Sequence, residues 1–188
     1  MPYSVFIKNM VCNRCKLAVT QLFEDFKLTP VEVNLGEILL ERELTKPEAS
    51  QIKRGLERLG FDLIEDNRAK VTVKIKSLLV ELLEADSFNL KLKLSEYLAD
   101  KLHYEYHYLS NLFSEIEGTT IEKYFIQLKV EKIKEYIEYG ELSLSEISYK
   151  FGYSSPAHLT NQFKKVTGIT PTQYKSLNNN KRKSLDEL

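Results

Sequence analysis

Ser143-Leu144-Ser145-Glu146-Ile147-Ser148-Tyr149-Lys150-Phe151-Gly152-Tyr153-Ser154-Ser155-Pro156-Ala157-His158-Leu159-Thr160-Asn161-Gln162-Phe163-Lys164-Lys165 is the run on which the reading of this chain turns. Ser143 followed three residues later by Glu146 is a capping box, in which hydroxyl and carboxylate each satisfy one free amide of a starting helix. The helix that follows carries Leu144, Ile147 and Phe151 on its buried side. Gly152 can take the left-handed conformation that closes it, and Ser155-Pro156 supplies an N-cap with proline at the first helical position. Helix, tight turn, helix is the expected result. In the second helix Leu159 and Phe163 are buried at i and i+4, which leaves Pro156, Ala157, His158, Thr160, Asn161 and Gln162 outside, with Lys164 and Lys165 behind them. Amides, hydroxyls and an imidazole read base edges in a major groove while lysines hold phosphate, so Ser155, Pro156, Ala157, His158, Thr160, Asn161, Lys164 and Lys165 are the candidate contacts to double-stranded DNA.

Gly152-Tyr153-Ser154-Ser155, Leu159, Phe163-Lys164-Lys165, Gly168, Thr170-Pro171 and Tyr174 together resemble the C-terminal signature of AraC/XylS-type transcriptional regulators. The resemblance implies a DNA-binding regulator built on two helix-turn-helix units. It does not imply an enzyme, and no paired carboxylates, nucleophile-base arrangement or phosphate-cradling loop stands out.

The second unit has a partner upstream. Leu98 and Leu102 answer to Ile147 and Phe151, and Tyr108-Leu109-Ser110-Asn111-Leu112-Phe113 parallels His158 to Phe163 after a turn one residue shorter. His103 takes the turn position of Gly152, a left-handed site that histidine tolerates better than most side chains. Ser114 and Glu115 stand where the second copy has lysines, and Glu115 and Glu117 are expected to repel phosphate. Tyr106, His107, Ser110 and Asn111 are the candidate base contacts here; the other reading is a packing element. Thr119 with Glu122 forms a further capping box and starts a helix that ends near Gly140. Its two apolar stripes, Ile121-Phe125-Leu128 and Ile126-Val130-Ile133-Ile137, bury it from two directions, so it bridges the units. About 18 residues give roughly 27 Å of helix, compatible with major-groove turns about 34 Å apart. Tyr136 and Tyr139 are expected to shield the junction.

The N-terminal third follows a different pattern. Tyr3 to Lys8 alternates as a strand, Val19, Leu22, Phe23 and Phe26 mark a helix, and Val31 to Glu43 reads as a hairpin turning at Gly36. Thr45 and Glu48 cap a second helix with Pro47 in its first turn, Gly60 ends it, and Phe61 to Ile64 is a last strand. The fold class expected is α+β: a ferredoxin-like βαββαβ domain over 1–67, then an all-α double helix-turn-helix domain over 94–177. Met10-Val11-Cys12-x-x-Cys15 with Leu59-Gly60-Phe61 resembles a heavy-metal-associated domain. That resemblance implies Cu(I) or another soft metal ion on Cys12 and Cys15, Met10 packed beneath the loop and Phe61 closing over it. The sequence departs from the family at Asn9, usually glycine, and Val11, usually threonine, and Arg14 puts a cation beside the site. Soft thiolates favour Cu(I), and a helix N-terminus should lower their pKa. Metal binding, a scaffold that has lost its metal and a thiol redox pair all stay open.

The chain has 188 residues, 43% apolar and 29% charged, long enough for two small domains. No apolar run approaches the roughly 20 residues that span a bilayer, nor does the N-terminus resemble a signal peptide, so no membrane partner and a cytoplasmic location are expected. Formal charge is zero but unevenly spread: residues 147–188 carry 7 basic and 2 acidic side chains, whereas 85–146 carry 7 and 12. Phosphate-facing surface is therefore concentrated at the C-terminal end. Residues 68–93 are read as a connector, one helix from about Arg68 to Glu84 and then a loop from Asp86 to Lys93. Lys175 is placed near the second recognition helix, Thr170-Pro171 caps a short helix whose amides could meet a phosphate, and 178–188 is a flexible basic tail. The expected function is a sequence-specific DNA-binding transcriptional regulator, with metal control at the cysteines and a homodimer through the N-terminal domain as further readings. The competing class is a metal-trafficking protein whose helical domain docks a protein partner.

Overall fold

Val5, Phe6 and Ile7 are buried in succession in strand β1 (Tyr3–Lys8), so its centre is covered on both faces and not on the single face that alternation suggests. The computed structural model describes residues 3–84 and 93–177. β1 is followed by α1 (Asn13–Asp25), β2 (Glu32–Asn34), β3 (Glu37–Leu40), α2 (Lys46–Arg58) and β4 (Asp62–Ile64). The sheet runs β2-β3-β1-β4 with every pair antiparallel. Val5 and Ile7 share a core with Val19 and Phe23 of α1 and Ile52 and Leu56 of α2. Phe6 points the other way, as the two-residue strand period demands, and lies under α3 (Asn67–Glu84), whose Lys70 and Lys74 ammonium groups stand 5.5 and 5.0 Å from its ring. The Thr45–Glu48 capping box forms as expected.

The helix expected as a connector is a wall common to both halves. Val73, Ile75, Leu79, Val80, Leu82 and Leu83 are all buried, so α3 has no solvent-facing stripe of the usual width. Buried Ser77 donates from its Oγ to the Leu35 carbonyl at 2.7 Å and tethers α3 to the β2–β3 turn. Gly36 in that turn sits at φ +73, and a Cβ there would come within 2.4 Å of Val73 Cγ1, so glycine is required both for the turn and for the helix's approach.

On its other side α3 packs on α4 (Leu94–Leu102), α5 (Tyr106–Glu117) and α6 (Ile121–Tyr139), which are followed by α7 (Leu144–Lys150), α8 (Pro156–Thr167) and α9 (Pro171–Ser176). One core joins Leu79 and Leu83 of α3 to Leu98, Phe113, Leu128, Ile133, Ile147, Phe151 and Phe163. The bridging helix α6 is buried from two sides, as its stripes predict, and also encloses Glu131 and Lys134, paired at 2.7 Å. Its cap is Thr120, whose hydroxyl accepts the Lys123 amide at 3.2 Å; this corrects the expected Thr119–Glu122 box, because Glu122 lies one position too early to reach back and turns to Tyr106 instead. Tyr136 meets Phe151 edge-on at 5.7 Å, whereas Tyr139 is 67% exposed and shields nothing, a second correction. The loop expected from Asp86 lies outside the described residues up to Lys93, which precedes α4, and so does the tail 178–188. Among the described residues no helix is long and apolar enough to cross a membrane.

Candidate nucleic-acid interface

The second helix-turn-helix is assembled by its own caps. Ser143 and Glu146 close the capping box that starts α7, with the Ser143 amide donating to the Glu146 carboxylate at 2.7 Å. The two bonds from Ser143 hold the Glu146 carboxyl below its ordinary pKa. Gly152 turns the chain at φ +70, and Ser155 accepts the His158 amide at 3.1 Å to start α8 at Pro156. Leu159 and Phe163 are fully buried, and the Phe163 ring meets Tyr174 edge-on at 5.7 Å, so α8 is clamped from beneath. Its outer face presents Pro156, Ala157, His158, Asn161, Lys164 and Lys165 to solvent, with Ser155 and Thr160 half-buried at its edge. His158 is held in place: Ser154 Oγ lies 3.1 Å from its Nδ1, and the Tyr153 ring stands perpendicular at 5.2 Å. Beneath the turn the Lys129 ammonium lies between the rings of Phe125 and Tyr153, where burial lowers its pKa; burial also pushes the Tyr153 hydroxyl up to about 12.

Lys175 is exposed on α9, which packs on α8. Its Nζ lies 4.0 Å from where a Cβ would sit on Gly140, at the C-terminal end of α6, where the helix dipole favours a cation. Thr170 and Gln173 satisfy each other at the start of α9, so that helix keeps its first amides for its own cap.

In the first unit His103 does adopt the left-handed conformation, at φ 57 and ψ 38. The residues after it depart from the second copy. The N-cap position is Glu105, with no side-chain cap bond. The Tyr106 hydroxyl donates to the Glu122 carboxylate; burial and that bond raise the tyrosine's pKa, and the bond, against burial, lowers the glutamate's, so this hydroxyl is committed to α6 and not to a base. His107 and Asn111 are exposed but bonded to each other at 3.0 Å, and Ser110 is half-buried. Glu115 is paired with Arg68, and Glu117 with Lys76 at 2.6 Å, both cations coming from α3. The repulsion expected from these carboxylates is thus offset by the neighbouring helix. Tyr104 and Tyr108 were missed: they stack at 5.2 Å, are both exposed, and Tyr108 holds the place that His158 holds in the second copy. The internal repeat contained that signal.

Cys12 and Cys15 are brought together at the start of α1 with their sulfurs 3.2 Å apart and both half-buried. Asn9, where glycine was expected, takes φ +72 and donates from Nδ2 to the Gly60 carbonyl at 3.2 Å, while Met10 and Phe61 are buried. Burial pushes the Cys15 thiol up, against the lowering expected of a helix N-terminus. Among the described residues no group of three or more His, Cys, Asp or Glu side chains could share a metal, so within one chain the donor set fits a two-coordinate soft ion and not a tetrahedral one. The loop Asn9 to Val11 faces Val73, Lys76 and Val80 of α3 and Tyr124 of α6 across a cavity of about 30 Å³.

Residues 98–176 match the family model described as "Helix-turn-helix domain". The Msm operon regulatory protein of Streptococcus mutans is 24% identical over 156 residues, 82% of this chain and 53% of that protein. An uncharacterized HTH-type transcriptional regulator of Bacillus subtilis, YtdP, is 30% identical over 88 residues, 47% of this chain and 11% of that one. The chain thus spans about half or less of the length of these relatives. Among solved structures the C-terminal domain of AraT, a response regulator from Geobacillus stearothermophilus, shares the fold with TM-score 0.51 and 20% identity, over 63% of this chain and 95% of that one. What the comparisons bring to residues 98–176 is a helix-turn-helix domain.

Proposed function

We propose, from a C-terminal half that is an AraC-type helix-turn-helix domain, that this chain is a sequence-specific transcriptional regulator binding double-stranded DNA through α8 and α5. The observation that carries this is the outer face of α8: a fixed imidazole, an exposed carboxamide at Asn161 and two lysines on a helix anchored by two fully buried side chains. A rigid helix with short polar groups toward its N-terminus and cations behind them fits the depth of a major groove. His158, Thr160 and Asn161 read bases, and Lys164 and Lys165 neutralise phosphate. In the first unit His107, Ser110 and Asn111 take the adjacent groove, supplemented by Tyr108. Selecting bound sequences from random duplexes, followed by a salt titration, tests the reading: a site with a steep logarithmic salt dependence is expected, and a chain that retains no sequence and shows a flat slope overturns it.

The N-terminal domain we read as a ferredoxin-like unit that senses a soft ion such as Cu(I) at Cys12 and Cys15 and mediates association. Cys12 and Cys15 would hold the ion through their thiolates. The residues that would convey the change are Met10 and Val11, seated against α3, and Lys76, which pairs with Glu117 at the end of α5. Such a device shifts DNA affinity only if the ion prefers one arrangement of the loop over the other. Operator affinity that stays constant from no Cu(I) to saturation removes metal control while leaving the DNA reading intact.

A further inference from the structure

We propose that Arg68 of α3 is a phosphate contact of the first helix-turn-helix unit, standing in for the cation that α5 lacks. This deepens the DNA-binding reading of the helical half and rests on it. In the second unit Asn161 and Lys165 lie four residues apart on one face of α8, a base-reading amide with a lysine one turn behind it. The first unit keeps the spacing with Asn111 and Glu115 but reverses the charge. A bare carboxylate there would repel the backbone that a lysine attracts. The Arg68 guanidinium is paired with that carboxylate, so a cation stands at the corresponding place and comes from a different element.

The other cations of α3 are engaged elsewhere. Lys70 and Lys74 stand over the Phe6 ring on the sheet side, and Lys74 also meets Glu37 at 3.5 Å. Lys76 lies over the Tyr124 ring at 5.1 Å, and its pair with Glu117 is closed, the two side chains being only 20% and 18% exposed. The side chains of Arg68 and Glu115 are open at 53% and 62%. Among the described residues Arg68 makes one hydrogen bond, from Nη2 to Glu115 Oε2, and the planar fork has further N–H donors. A guanidinium can therefore hold the carboxylate with one edge and a phosphate oxygen with the other, which a point-charge ammonium does less well. Asp66 also lies within range of the Arg68 charge while accepting the Ala69 amide at 2.8 Å. With two carboxylates beside it the arginine adds no long-range attraction, so its effect is a short contact made once the duplex is seated.

Fluorescence anisotropy of the full chain on a labelled random-sequence duplex of about 30 base pairs, roughly three turns, is the test, because a phosphate contact is blind to sequence. The proteins are the wild type, Arg68→Ala, Glu115→Gln and the double variant. An exposed pair adds little to stability, so all are expected to melt together. Arg68→Ala should raise the Kd about fivefold, and Glu115→Gln should lower it about threefold. The double variant decides between contact and mere screening: it should bind about fivefold more weakly than Glu115→Gln, with a salt slope shallower by about 1. A double variant that matches Glu115→Gln in Kd and slope overturns the proposal, since Arg68 would then only screen the carboxylate. So does an Arg68→Ala variant that binds as the wild type does. Either result leaves wild-type binding, and with it the regulator reading, in place, whereas a wild type that binds no duplex overturns both.

Discussion

The two helix-turn-helix units share a backbone and differ in what their second helices serve. Both turn through a left-handed residue, Gly152 in one and His103 in the other, and both bury an apolar pair beneath the outer face, Leu159 with Phe163 and Leu109 with Phe113. In the second unit the caps are complete and Lys164 and Lys165 are left to solvent. In the first, Tyr106 turns to Glu122 and the acidic end of α5 is clasped by Arg68 and Lys76. One copy leaves its lysines to solvent, and the other pairs Tyr106, Glu115 and Glu117 with neighbours in the chain. In the proposed reading the second unit supplies the phosphate-facing lysines, while the first, besides its own groove, is joined by Arg68 and Lys76 to α3 and, through α3, to the thiol loop.

The largest test of this comparison is whether the buried aromatics of the two units, which share one core, are equivalent. Phe163→Ala and Phe113→Ala should each lose about 3–5 kcal/mol in urea unfolding, and an effect confined to one would mean the units are not built alike. Next comes recognition. Asn161→Ala is expected to cost about 1–3 kcal/mol at one base position, with Asn111→Ala costing less because Asn111 is bonded to His107; equal losses would erase the division of labour. Replacing Lys164 and Lys165 together should reduce the salt slope by about 2 on every sequence alike. At the turns the signs should oppose: His103→Gly is expected to stabilise by about 1 kcal/mol and Gly152→Ala to destabilise by a similar amount, measured by thermal melts. The smallest effect is that of pH on the α7 cap. Since the folded Glu146 pKa lies below its ordinary value of 4.5, the cap's contribution is full above that value and is lost as pH falls through the lower one. Ser143→Ala should therefore flatten the acid limb of the stability profile slightly.

What could be read from residues alone was local. Capping boxes at Thr45 and Ser143, the glycine turns and the period of the apolar residues mark elements because each depends on neighbours within a few positions. The one cap misread, Thr119 for Thr120, failed by a single residue because two threonines compete and Glu122 is drawn off by a residue 16 positions away. The exposed lysines and polar groups of α8 were legible for the same reason, since the burial of Leu159 and Phe163 fixes which side of a helix faces out. Placement across distance was not legible. Nothing near Glu115, Glu117 or Lys175 in sequence announces Arg68, Lys76 or the Gly140 turn as neighbours, and nothing near Tyr106 excludes it from an outer face. Nor does the pattern of α3 say that one side lies against the sheet and the other against α4, α5 and α6. Those facts arise only when the sheet and the helices close on α3 together, because side-chain pairing and burial are properties of surfaces that meet in space.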